Sequence, residues 1–123
     1  MKENEEQTQQ RLRESTISRH MNAVHEDFKN VLTFFLFSEF MKDHNYEYKK
    51  ETIDAIVDRF IEGQKEEVQL HRSNLALIPE SSKIAMKVAS MEESYKLYDE
   101  AILRMEKMLK EKLYQMCGIT PIQ

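Results

Sequence analysis

Apolar residues recur along this chain in three stripes whose steps alternate between three and four. The first contains Ile17, Met21, Val24, Phe28, Val31 and Phe35, a spacing that keeps all six on one face of a helix. It predicts helix over about residues 12–43, closing at His44-Asn45-Tyr46 because asparagine tolerates the left-handed conformation that ends helices. The second stripe runs through Ile53, Val57, Phe60, Gln64, Val68, His71, Leu75 and Ile78, with two polar seats. It predicts helix over about 50–77, with Gly63 costing about 1 kcal/mol relative to alanine. Pro79 restricts Ile78 to extended geometry and leaves two outcomes, a turn or a kink. The run Pro79-Glu80-Ser81-Ser82 couples a proline to two N-capping serines, which favours the turn. The third stripe is the longest: Ile84, Val88, Met91, Tyr95, Tyr98, Ile102, Met105, Leu109, then Lys112 or Leu113, and Met116. Gly118 is placed to cap this helix, and Pro121 stops the chain from continuing it.

Helices of about 28 to 35 residues are far longer than the globular average, and at 1.5 Å per residue the third is about 50 Å long. Long rods need long partners. The fold class expected is all-α: a long antiparallel three-helix bundle with coiled-coil-like packing, associated into a helical homodimer. Residues 1–10, MKENEEQTQQ, hold no apolar residue after the first and are expected to form a disordered arm. Residues 11–118 then make one helical domain, and 119–123 a tail.

Composition narrows the classes. Two glycines and two prolines in 123 residues leave little with which to turn hairpins or cradle phosphates. The longest uncharged apolar stretch, 31–38, is far short of the roughly 20 residues that span a bilayer. With no basic-then-apolar leader and a lone Cys117, the expected location is cytoplasmic and no internal disulfide is expected. The net charge of −4 argues against nonspecific nucleic-acid binding.

Phe34 to Phe37, followed by Phe40 and Met41, form an aromatic belt. Four successive helical residues point through nearly a full turn, so they cannot all face one core. Three covers present themselves: the centre of an intramolecular bundle, a second copy, or an apolar ligand. Self-association through Phe34, Phe35, Phe37, Phe40 and Met41 is the reading preferred, since large apolar patches mark interfaces. The run FLFSEFMKDHNY, Phe35 to Tyr46, resembles the LisH dimerisation motif, in which apolar and aromatic-aliphatic pairs precede Gly-Tyr at a turn. Phe40-Met41 and Tyr46 fit, Asn45 stands where the glycine would be, and Lys49-Lys50 lie near the motif's small residues. The resemblance covers 12 of the 123 residues and implies a dimer.

Chemistry-bearing patterns are sparse. His20 and His25 are five apart and diverge on a helix, the Glu-x-x-His spacing of di-iron bundles does not occur, and one cysteine makes no zinc framework. No metal or cofactor is expected, and no enzyme activity. His71 is expected as a satisfied polar seat in the core or interface, able to specify register and to titrate near neutral pH. Tyr95 and Tyr98 are spaced as core residues with hydroxyls at the rim. Helix 2 carries an acidic row, Glu51, Asp54, Asp58, Glu62 and Glu66. Asp54, Asp58, Glu62 and Glu66 are the expected contact for a basic protein partner, against the plainer reading of a solvated face. The function expected is a non-enzymatic interaction or assembly protein, an adaptor, scaffold or inhibitor. The alternative is a small nucleic-acid-associated regulator using the basic start of helix 1, Arg11, Arg13, Arg19 and Lys29.

Overall fold

A computed structural model describes residues 4–36, 39–45 and 47–119, with the side chains of 34–36, 39 and 40 left out of the description. The described residues are all-helical, without a strand: α1 Glu5–Leu36, α2 Glu39–Asp43, α3 Lys50–Ala76, α4 Glu80–Lys83 and α5 Val88–Met116.

α1 begins at Glu5, about two turns ahead of the predicted start and inside the stretch expected to be disordered. The cause is local. The Gln7 backbone N–H donates to Asn4 Oδ1 at 2.8 Å, and the Asn4 N–H donates to Gln7 Oε1 at 3.1 Å. This is a reciprocal capping box, reinforced by Glu5 and Glu6 against the positive end of the dipole. Such a start needs no apolar residue, which is why an apolar stripe does not reveal it. Beyond α2, the His44-Asn45 turn has Asn45 at φ 56°, the left-handed conformation that asparagine accepts.

α3 follows its predicted bounds closely, and Ile53, Val57, Phe60, Gln64, Val68 and Leu75 are buried on it. At Pro79 the chain is extended, with φ −59° and ψ 142°, so the proline marks a turn. The seam predicted from Ile84 starts one turn later. Lys87 takes a left-handed conformation at φ 55°, α5 opens at Val88, and Ile84 stands 92% exposed. Gly118, at φ 68°, closes α5 as predicted. Its N–H donates to the Gln115 carbonyl and that of Ile119 to the Tyr114 carbonyl, the paired bonds of a Schellman motif.

α5 is the central helix. Against α3 it pairs Tyr114 with Asp54, Lys110 with Asp58 and Asp99 with Arg72, so numbers fall on one helix as they rise on the other. Those two run antiparallel. Against α1, Leu97 and Ala101 pack on Ile17, while Met105 and Leu109 line a groove with Met21 and His25. Because α5 packs against both neighbours it buries Leu97, Ala101 and Tyr114 beside the predicted Ile102, Met105 and Leu109. One stripe could not anticipate a second buried face. The main core gathers Val24, Phe28, Met41, Val57, Phe60, Ile102 and Met105, with Phe28 edge-on to Phe60 at 5.1 Å. Burying each such side chain is worth about 1.5 to 3 kcal/mol.

Candidate functional site

The acidic row of α3 divides into two parts. Asp54, predicted to face a partner, is turned toward α5: Lys50 Nζ donates to it at 2.7 Å and the Tyr114 hydroxyl donates to its other oxygen. Burial raises its carboxyl, but Lys50, Tyr114 and Lys110 together outweigh that and hold it below the ordinary aspartate range. Burial first, and then Asp54, push the Tyr114 phenol up. Asp58 makes an ion pair with Lys110 at 2.7 Å. That hydrogen bond, against an opposing cost of burial, raises the Lys110 ammonium. Asp54 and Asp58 therefore tie α3 to α5, a role hidden in the sequence because their cations come from α5 and from one turn back. Glu62 and Glu66 remain exposed, on the rim of an open groove of about 830 Å³ that Asp58, Lys65, Gln69, Glu106 and Lys110 also line.

Of the aromatic belt, Phe37 lies outside the described residues, as do the side chains of Phe34, Phe35 and Phe40. Met41 is described and corrects the reading. Its side chain is fully buried in the main core with Val24, Phe28 and Val57, so it is not available to a second copy.

A polar cluster links the three long helices. The Tyr98 hydroxyl on α5 donates to Gln64 Oε1 on α3 at 2.9 Å, and Gln64 Nε2 reaches Asp27 Oδ2 on α1 at 3.5 Å. His20 Nε2 lies 3.2 Å from Ser94 Oγ, with its ring edge-on to Tyr98 at 5.0 Å. Burial, then Asp27 and Glu67, raise the Tyr98 phenol; burial, then Arg19, lower the His20 imidazole. Gln64 is thus the buried polar seat that the second stripe announced. His71 is not. It is half exposed, stacks on Tyr95 at 5.8 Å and sits 3.8 Å from Glu67, although Val68 before it and Leu75 after it on the same stripe are buried. His71, Tyr95, Tyr98, Gln64, Glu67 and Val68 enclose a hollow of about 200 Å³.

Two apolar features lay outside the sequence reading. A groove of about 620 Å³ between α1 and α5 is lined by Met21, Met105, Met108, Leu109 and Ile119 together with His25, Glu111 and Lys112. Its signal was the row Met105, Met108, Lys112 and Gln115, spaced by three and four beside the main stripe. The α3–α5 connection exposes Leu77 at 80%, Ile84 at 92% and Met86 at 48%, and the first turn of α5 exposes Met91 at 42%.

Along the basic start of α1, Arg13 pairs with Glu14 at 3.9 Å and Lys29 with Glu26 at 3.1 Å. Cys117 is exposed, and the described residues include no group of three or more metal-ligating side chains. No helix among them is long and apolar enough to cross a membrane. Compared with protein-family models, with curated proteins and with solved structures, the chain shows no match.

Proposed function

We propose that this protein is a non-enzymatic helical interaction protein, an up-down-up three-helix bundle that self-associates and takes a protein partner in the cytoplasm. The observation that carries the reading is the set of large apolar side chains left in water in one connection and the first turn of α5, Leu77, Ile84 and Met86 with Met91. Exposed apolar area of this kind is characteristic of contact surfaces. The polar residues that meet between the long helices, Gln64, Tyr98, Asp27, His20 and Ser94, support a structural rather than catalytic use, since each is engaged with a neighbouring helix. Self-association is supported further by the run Phe34 to Phe37 with Phe40, which a single helical face cannot hide.

The two apolar regions make separable contributions. Ile84→Glu places a charge at a site fully open to solvent, so it should leave helix content unchanged. Phe37→Glu tests the aromatic belt. If the connection is a contact surface, Ile84→Glu lowers the solution mass or abolishes partner capture. A mass and a set of captured proteins identical to the parent's would remove this surface from the account. Loss of mass in Phe37→Glu alone would assign self-association to the belt.

A further inference from the structure

The leading half of α1 is attached differently from the rest of the helix. Residues 24 and 28 enter the main core, and the ties of α1 to α3, Phe28 on Phe60 and Asp27 with Gln64, also lie in its second half. Among residues 5–20 only Ile17 is buried, in a small apolar cluster with Leu97 and Ala101 that is separate from the main core and meets it through Met21. Two of the described polar contacts join this half to α5. Arg104 grips Glu14 with Nη1 at 2.8 Å and Nη2 at 3.2 Å, and His20 meets Ser94 and the edge of Tyr98.

His20 supplies the imidazole of this attachment. On its own helix it faces Arg19, a like charge once the ring is protonated, with Asp27 further along toward Tyr98. From α5 it meets the neutral Ser94 and Tyr98, while the neighbouring charges Asp99, Glu100 and Arg104 are engaged with Arg72, with each other and with Glu14. From α3 the nearest titratable groups, Glu67 and His71, face the Tyr95 and Tyr98 side of the cleft. None of the described carboxylates pairs with His20, so a proton there has no counter-charge.

We propose that residues 5–20 form an arm that His20 holds on α5 only while its imidazole is neutral, and that mild acid releases the arm while the main core stays folded. The direction of the linkage agrees. Burial places the docked His20 below the ordinary histidine value of about 6.5, so the released arm takes up a proton more readily than the docked one. Release therefore grows as the pH falls through 6.5. Glu14 does not contribute in that window, because Arg104 holds its carboxyl below the ordinary glutamate range and it stays charged. Release uncovers Leu97 and Ala101, an apolar face of α5.

Amide hydrogen exchange on the full chain at pH 7.5 and 5.5, corrected for the intrinsic rate, tests this. The opening constant of residues 9–20 should rise by up to about tenfold at the lower pH, since one unit below 6.5 is a factor of ten in protonation. Amides of Val57, Phe60, Ile102 and Met105 should keep their protection. In His20→Gln the ratio between the two pH values should be one, and because the ratio is the readout, a variant with a looser arm at both pH values still decides. A parent ratio of one, or a raised ratio that persists in His20→Gln, overturns the proposal. So does an NMR titration that finds His20 protonating at or above 6.5.

Discussion

Asp54 shows how one side chain can be read in two opposite ways. In the sequence it is the second member of an acidic row, and a row of like charges suggests a surface kept for a partner. In the molecule its carboxylate accepts from Lys50 and from Tyr114, a buried residue of α5. Hydrogen bonds to a charged group contribute about 1.5 to 3 kcal/mol. Tyr114→Phe, which keeps the ring and removes the donor, should therefore cost about 1 to 3 kcal/mol in urea unfolding at pH 7. The same contact sets an acid dependence. Asp54 is held below the unfolded aspartate value of about 3.9, so its contribution is complete above that pH and disappears as the pH falls through the lower, folded value. Unfolding midpoints taken from pH 6 down to 2 should fall less steeply in Tyr114→Phe than in the parent. Parallel curves would mean that the hydroxyl does nothing for Asp54.

α3 is the helix whose sequence and structure agree best, because it buries one face and a single stripe describes one face. Gly63 sits on its exposed side, where a Cβ would meet nothing within 4 Å. Gly63→Ala should therefore stabilise the protein by about 0.5 to 1 kcal/mol, read as a higher urea midpoint with an unchanged slope. α5 was less legible. Its predicted seam includes Ile102, Met105 and Leu109, but Leu97, Ala101 and Tyr114 belong to a second buried face that only the arrangement of α1 and α3 creates. Leu109→Ala should cost about 2 to 5 kcal/mol while Lys107→Ala stays within about 0.5, and equal small losses would contradict the assigned face. The two helix starts were missed for different reasons. Asn4 and Gln7 cap α1 through polar atoms alone, and the left-handed Lys87 that delays α5 has no side-chain signature of the kind glycine or asparagine gives. Of the candidate site residues, Glu62 and Glu66 are exposed as expected, whereas Asp54, Asp58 and Met41 are occupied by partners distant in the chain.

Across the molecule, burial is concentrated where α5 lies between its neighbours, and the ends and flanks carry apolar surface. Leu77, Ile84 and Met86 at one connection with Met91 at the start of α5, and the methionine-lined groove between α1 and α5, are areas that a second copy or an unlike partner would remove from water. Such burial contributes about 25 cal/mol per Å², set against the translational, rotational and side-chain entropy lost on association. The central claim is that the molecule works by association, beginning with its own second copy. Sedimentation equilibrium of the full chain from low to high micromolar concentration tests it most directly. The account predicts a mass that rises to twice that of one chain within this range, whereas a single-chain mass at every concentration would contradict it.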